Sequence, residues 1–171
     1  MALTKLNFPS DTVLQVKEKA TNSSAFTQGT NYMSSALRLS ITPSSTSSKI
    51  LVIPSANMFN DTRGTHGLAT VYRGTSDPGF GQFTPSAVDI GDTANSSDPS
   101  GTYSGRGFGG TFVDQGTGSH KNSVTNTILD EPNTTNPVWY FISIKTNNNS
   151  TYVVMNVHQE RSVLTLIELK G

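Results

Sequence analysis

The chain has 171 residues, a length that suits one domain with a core that needs no disulfides. Twelve basic residues balance twelve acidic ones, so the net charge is +0, and no cluster of Lys or Arg indicates a nucleic-acid partner. The absence of cysteine excludes thiol nucleophiles and Cys-ligated zinc, and it favours a protein made in a reducing cytoplasm. Because no apolar run approaches the ~18 residues of a membrane span, we expect no membrane partner.

Residues 1–11 are predicted to form an N-terminal arm. Leu3, Leu6 and Phe8 are spaced apolar side chains in this segment, and Pro9 interrupts regular structure. The remaining residues, 12–171, are predicted to form a single domain.

The domain has no convincing helix signal, and its apolar residues mostly alternate in short runs between Gly, Pro, Asn and Ser clusters, which is typical of strands. The predicted strands are Val13–Lys19, Ser34–Ile41, Lys49–Ile53, Leu68–Arg73, Phe108–Val113, Asn122–Leu129, Val138–Lys145, Thr151–His158 and Ser162–Leu169. Lys49–Ile53 is apolar on both faces, as expected of a central strand, and Pro54 predicts a bulge or an edge. The turn Thr42–Ser48 offers no side chain worth burying.

Residues 74–123 form a long insertion rich in Gly and Ser, and such a long irregular segment is usually functional or mobile. We expect one or two short strands inside it. The whole pattern predicts an all-β fold: an antiparallel β-sandwich of jelly-roll type with long Gly/Ser-rich loops.

The last strand, Ser162–Leu169, ends two residues before the end of the chain. Because an apolar strand at a bare sheet edge invites aggregation, we predict that it lies inside a sheet or is covered by a neighbouring subunit. Leu164, Leu166 and Leu169 are the candidate residues for an oligomer interface.

The histidines His66, His120 and His158 show no spacing typical of a metal site. In a symmetric oligomer, a single histidine near the axis could meet its copies and bind an ion, although a solvated or hydrogen-bonded histidine is the favoured interpretation. The loop aspartates are interpreted as turn formers rather than as calcium ligands. We predict no catalytic residue, no cofactor and no metal site, and therefore a protein that is not an enzyme.

Aromatic residues on polar loops either stack on sugar rings or pack the loops onto the sandwich. Six aromatic residues fit this description: Tyr72, Phe80, Phe83, Tyr103, Phe108 and Phe112. Tyr103 and Phe108 are the candidates for glycan contact.

The segment Ser40–Val52, Ser-Ile-Thr-Pro-Ser-Ser-Thr-Ser-Ser-Lys-Ile-Leu-Val, resembles one that is common in structural proteins of cyanophages and other tailed phages. Thr12–Val16, Val71–Gly74 and Leu164–Leu169 fit the same pattern in the same order. The resemblance covers most of the chain from about Thr12, with the middle insertion unmatched. It implies an architecture rather than a chemistry, because these residues mark strands and turns.

The resemblance implies a virion protein made in the host cytoplasm and assembled as a homotrimer. In such phages the domain often ends a long fibre, whereas here only a short arm precedes it, which favours a capsid decoration protein of the cement or head-fibre kind. Its partner would be the major capsid protein or another virion protein, with Leu3, Leu6 and Phe8 as the capsid attachment. The alternative is a tail-fibre or adhesin tip that recognises a host surface glycan through residues 74–123.

Overall fold

The computed structural model describes residues 12–60, 65–82, 86–91, 109–113, 120–147 and 152–171, and for residues 65 and 109–113 it describes the backbone only. The strands in these ranges are, in chain order, β1 (Val13–Thr21), β2 (Ala25–Thr27), β3 (Met33–Ile41), β4 (Lys49–Asn60), β5 (Thr65–Gly74), β6 (Val88–Asp89), β7 (Gly109–Val113), β8 (His120–Thr125), β9 (Ile128–Asp130), β10 (Val138–Thr146), β11 (Val153–Met155) and β12 (Ser162–Leu169). The predicted all-β fold is confirmed.

Strand β4 is the centre of the first sheet. β12 and β11 pair with residues 49–55 and 58–60 of β4, while β9 and β8 pair with residues 50–52 and 55–60. Because a strand has two sides, β11 and β12 share one side of β4, and β8 and β9 share the other. Beyond them, β1 pairs with β12 and β2 pairs with β11, so β1 and β2 form an edge.

The second sheet has the order β3-β10-β5-β6, and β7 also pairs with β5. Every strand pair in both sheets is antiparallel. The sheets pack face to face around one core, so the predicted sandwich is confirmed. The core residues include Leu37, Ile41, Ile50, Val52, Ala56, Met58, Val71, Tyr140, Ile142, Ile144, Met155, Leu164 and Leu166.

The alternation of apolar residues predicted two of the last three strands, β10 and β12, well. Ser162–Leu169 has the predicted bounds, and Val138–Lys145 gains one residue to become β10. The four residues of β10 expected on one face, Val138, Tyr140, Ile142 and Ile144, all lie in the core. Period-two burial against a facing sheet is the physical reason for this agreement.

Pro54 neither ends β4 nor introduces a bulge against β12, where the pairing Leu164↔Pro54 is in continuous register. On the other side of β4 the neighbouring strand is interrupted between β8 and β9. There the Pro54 carbonyl accepts a hydrogen bond of 3.2 Å from the Asn126 N–H. The missing N–H of the proline faces this interruption, because both backbone groups of a residue point toward the same neighbour. The predicted strand Asn122–Leu129 is therefore two strands.

The predicted strand Thr151–His158 is wrong in its second half. β11 ends at Met155, Asn156 adopts a left-handed conformation with φ 62°, and a single 3₁₀ turn, Val157–Gln159, follows. His158 also has a positive φ of 56° and lies exposed in this turn, not on a strand face. β12 then resumes pairing with β4.

Part of the insertion folds back onto β3. Arg38 and Asp77 form an ion pair of 2.8 Å, and Ser34 and Gly81 are joined by a backbone hydrogen bond of 2.9 Å. The predicted strand near Phe108–Val113 is confirmed as β7. The jelly-roll topology and the division into an arm and one domain stay predictions, since residues 1–11 lie outside the described ranges.

Within the described ranges, a helix of the length and apolar character needed to cross a membrane is absent.

Candidate functional site

Glu168 is a carboxylate enclosed by protein, with 0% of its surface exposed. Its two oxygens accept hydrogen bonds from the Ser44 N–H at 2.6 Å, the Ser44 hydroxyl at 3.1 Å and the Gln15 amide at 2.5 Å. The same Gln15 nitrogen donates to the Thr42 carbonyl at 2.8 Å. The carboxylate therefore joins β1, β12 and the turn after β3.

Burial by itself raises the pKa of Glu168, but the hydrogen bonds from Gln15 and from the Ser44 backbone and hydroxyl outweigh it, so the pKa lies below its ordinary value of 4.5. The carboxylate is thus held charged, and its bonds are of the stronger, charge-assisted kind.

Three of the segments that resemble phage structural proteins meet at Glu168. They are Thr12–Val16, Ser40–Val52 and Leu164–Leu169, which contribute Gln15, Ser44 and Glu168. The turn Thr42–Ser48 also buries Pro43 and Ser48, which corrects the expectation that it has no side chain worth burying. The shared residues form a structural joint, and no reaction is suggested by their chemistry.

The solvent-facing side of the first sheet carries a row of four apolar residues. Val16 pairs with Ile167, Ile167 with Leu51, and Leu51 with Leu129, on β1, β12, β4 and β9. Directly paired residues share a face, and their chain neighbours Ile50, Val52 and Leu166 point into the core. We call Val16, Leu51, Leu129 and Ile167 the outer stripe.

The outer stripe crosses four strands and is about 14 Å long at the usual strand spacing. Its end residues are the most open, with Val16 59% and Leu129 53% exposed. Ile53 and Leu169, in the neighbouring rows, face the same side. A contiguous apolar surface of this kind usually marks an interaction site, whereas single exposed apolar residues need no explanation.

A group of aromatic side chains lies farther along the same face. Tyr152 lies between Phe26 and Phe59, with ring centroids 5.4 and 6.4 Å away. Phe26 is 51% exposed. The first sheet therefore presents apolar side chains to solvent near both of its ends.

At one end of the sandwich, a polar network joins the two sheets. Arg73 Nη1 on β5 donates to both oxygens of Asp130 on β9, at 2.7 and 2.9 Å. The Tyr140 hydroxyl on β10 donates to Asp130 Oδ2 at 2.6 Å. Burial first, and then the charge and hydrogen bond of Asp130, raise the pKa of Tyr140, so its phenol stays protonated.

This network lies beside a cleft of about 490 Å³, which we call the end cleft. The cleft lies between the segment after β5 and the turn before β10. The described residues that line it are Arg73, Gly74, Thr75, Ser86, Val88, Pro132, Thr134, Asn136, Pro137 and Val138.

The structure corrects the predicted oligomer interface. Leu164 and Leu166 are 0% exposed and point into the core between the sheets, so their side chains cannot contact another subunit in this fold. β12 is covered by β1 on one side and β4 on the other, which removes the need for a neighbouring subunit at that edge. Leu169 alone of the three faces outward, and its role in an interface stays a prediction.

The other predicted contact residues lie outside the described residues: Leu3, Leu6 and Phe8 in the arm, and Tyr103 and Phe108 in the insertion. Of the remaining loop aromatics, Tyr72 packs on Tyr32 and Phe141 with ring centroids 5.7 and 5.8 Å apart, whereas Phe80 is 50% exposed. Tyr72 therefore belongs to the packing of the second sheet.

No group of three or more His, Asp or Glu side chains able to hold a metal occurs in the described part of the chain. His120 and His158 are exposed there, at the start of β8 and in the 3₁₀ turn.

The outer stripe has a signal in the sequence. Lys49–Ile53 is apolar on both faces, a pattern that predicts burial on both faces of a central strand. The strand is central, but within the described residues one of its faces has no second layer, and Leu51 and Ile53 are only partly covered. Apolar residues on both faces of β4 and β12, including Val163 and Ile167 on β12, are the available signal for such a surface, but the tertiary structure decides which face meets the core.

No family model and no curated protein matches the chain. Among solved structures, that of the infectious bursal disease virus Gt strain is 12% identical with a TM-score of 0.38, and the VP2 subviral particle of infectious bursal disease virus is 14% identical with a TM-score of 0.40. Both overlaps cover 100% of this chain and 42% of the other, so the chain spans less than half the length of these proteins. At these TM-scores the overlap assigns neither a fold nor a function.

Proposed function

We propose that this protein is a non-enzymatic structural part of a phage virion, a capsid decoration protein that binds the outer shell through the outer stripe. The observation that carries this function is the row of four apolar residues on a solvent-facing sheet. A flat apolar surface of this type suits a protein partner, which can exclude water from it.

The point at which the arm joins the domain supports the same attachment surface. The described chain begins at Thr12, whose carbonyl accepts a hydrogen bond of 2.9 Å from the Lys170 N–H. Residue 12 therefore lies beside Leu169 at the margin of the stripe, and residue 11 is joined to the domain at this point. We propose that Leu3, Leu6 and Phe8 extend the stripe into one continuous attachment surface.

The partner is proposed to be the major capsid protein or another virion protein with an apolar outer surface. The resemblance of Ser40–Val52 to phage structural proteins supports this choice, and the Glu168 joint supplies a rigid support behind the stripe. The homotrimer is a proposal that rests on the resemblance, and light scattering of the purified protein measures it directly.

Cosedimentation with virions depleted of this protein tests the attachment. We expect Val16→Lys combined with Leu129→Lys to weaken binding by about tenfold or more, because a charge then faces an apolar partner. Both positions are more than half exposed, so folding should be unaffected.

Val88→Lys is the matched control, since Val88 is 50% exposed but lies on the second sheet. Undiminished binding of the double variant would show that the outer stripe takes no part in the attachment. Undiminished binding after deletion of residues 1–11 would show the same for the arm.

A further inference from the structure

We propose that the end cleft is a binding site for a neutral saccharide, with the guanidinium of Arg73 as its central hydrogen-bond donor. This site is separate from the outer stripe and does not depend on attachment to a shell. The proposal places glycan recognition in the end cleft and not at Tyr103 and Phe108, the two candidates from the sequence.

The first step of the argument concerns the position of Arg73. It lies on β5 directly opposite Tyr140, at the end of the core, and it reaches across to Asp130 on the other sheet. The Asp130 side chain is only 9% exposed and that of Arg73 only 23%. An apolar pair in such a place is often at least as stabilising as an ion pair. Stability alone is therefore a weak explanation for an ion pair at this position.

The second step concerns the unused donors of Arg73. All of its hydrogen bonds to described residues leave from Nη1, to Asp130 and to the Glu131 carbonyl. Within those residues, Nε and Nη2 make none, and the side chain lines the end cleft. Nε and Nη2 form a planar fork whose geometry suits two neighbouring oxygen atoms of a ligand.

The third step concerns charge. Asp130 compensates the charge of Arg73 at 2.7 Å, and the other described residues that line the cleft are uncharged. A free carboxylate or phosphate would therefore find no net positive charge here, whereas a pair of neighbouring hydroxyl groups needs only the donors. A neutral polyol fits the cleft better than an anion.

The fourth step concerns the remaining walls. Thr75, Ser86 and Thr134 offer hydroxyl groups and Asn136 offers an amide, while apolar surface comes from Val88, Val138 and two prolines. A sugar ring presents hydroxyl groups at its rim and C–H groups on its faces, which matches this mixture. The volume of about 490 Å³ lies within the usual range of small-molecule sites.

The turn that forms one wall is held in place before any ligand arrives. Asn133 Nδ2 donates to the Glu131 carbonyl at 2.9 Å, and the Asn136 N–H donates to Thr134 Oγ1 at 3.0 Å. Less conformational entropy is then lost on binding.

The test uses the intact chain on an array of neutral oligosaccharides (gluco-, galacto- and manno-series) and matched uronic-acid oligosaccharides, followed by calorimetry with the strongest neutral probe. We expect Val88→Trp, which fills the cleft, and Asn136→Ala, which removes an amide, each to raise the Kd about tenfold or more. Val13→Trp is the control, because Val13 is 52% exposed, close to the 50% of Val88, and lies on the first sheet. Circular dichroism and the urea midpoint show that each variant folds.

Binding of a neutral oligosaccharide that is lost in both cleft variants and kept in Val13→Trp supports the proposal. Absence of binding to every neutral probe, binding of acidic probes alone, or a Kd unchanged by Val88→Trp overturns it. Cosedimentation of Val88→Trp with depleted virions separates this site from the attachment, since the proposed attachment predicts unchanged sedimentation.

Discussion

The carboxylate of Glu168 accepts a hydrogen bond of 2.6 Å from the backbone N–H of Ser44, a residue 124 positions earlier in the chain. This bond anchors the turn after β3, on the second sheet, to β12 on the first. It also explains why a charged residue can occupy an inward position of an otherwise apolar strand. The charged oxygens accept hydrogen bonds from donors on two other segments, β1 and the turn after β3, and such bonding is the usual requirement for a buried ionised group.

We expect Glu168→Ala to lower the free energy of unfolding by about 1–3 kcal/mol, because Ser44 and Gln15, which are themselves at least partly exposed, lose the charged acceptor of their hydrogen bonds. Urea unfolding measures the change. Glu18→Ala, an exposed change on β1, is the control and should stay within about 0.5 kcal/mol of the parent. Equal effects of the two substitutions would contradict the role of the joint.

The lowered pKa of Glu168 predicts how stability depends on pH. Because the folded-state value lies below the unfolded value of about 4.5, the stabilisation is present above pH 4.5 and is lost as the pH falls through the folded-state pKa. Thermal unfolding between pH 7 and pH 3 should show a steeper loss for the parent than for Glu168→Gln, which has no proton to take up. Parallel curves for the two proteins would refute this assignment.

Asn156 should be a second point of high sensitivity. Its amide donates to the Thr21 and Ser23 carbonyls at 3.1 Å each, and its side-chain oxygen accepts from the Ser162 hydroxyl. It also has a φ of 62°, a conformation that Asn tolerates better than most residues. We expect Asn156→Ala to cost about 3 kcal/mol in urea unfolding, from unpaired carbonyls and backbone strain.

Asn156→Gly separates the two contributions in that prediction. Glycine relieves the strain but leaves the carbonyls of Thr21 and Ser23 without their donor, so it should recover about 1 kcal/mol. If Asn156→Ala were as stable as the parent, the hydrogen bonds would have no measurable weight.

The inter-sheet network predicts unequal effects for the loss of its acceptor, Asp130, and the loss of one donor, the Tyr140 hydroxyl. Asp130→Ala leaves the Arg73 charge unpaired and should cost about 3–5 kcal/mol. Tyr140→Phe removes a single donor to Asp130 and should cost about 1 kcal/mol. A double-mutant cycle in urea should show a coupling between the two positions, and strictly additive effects would show that the Tyr140 bond is not formed.

The sequence predicted strands where one face of a strand meets the core, as in β3, β10 and β12. The prediction from the sequence was less accurate where the backbone conformation changes within a run of alternating polar and apolar residues. Val157 and His158 continue the polar–apolar alternation, but the left-handed Asn156 ends β11, because its side chain bonds to residues far away in the chain. Local pattern carries no information on such a partner.

Pro54 is a second position where the local sequence could not predict the local structure. A proline in a central strand should be a defect, yet here the adjacent strand is interrupted at Asn126, where the proline offers only its carbonyl. Proline does lack a hydrogen-bond donor for a neighbouring strand, as expected, but which segment lies beside the proline depends on the fold.

By itself, the sequence determined the all-β class and the strands with period-two burial, because both depend on the alternation of residues near in the chain. Only the tertiary structure decided which apolar residues of those strands face the core and which form the outer stripe. It also decided that Arg73, Asp130 and Tyr140 meet at the end cleft. The reason is that strand register and sheet packing bring together residues far apart in the chain, as they do for Val16, Leu51, Leu129 and Ile167.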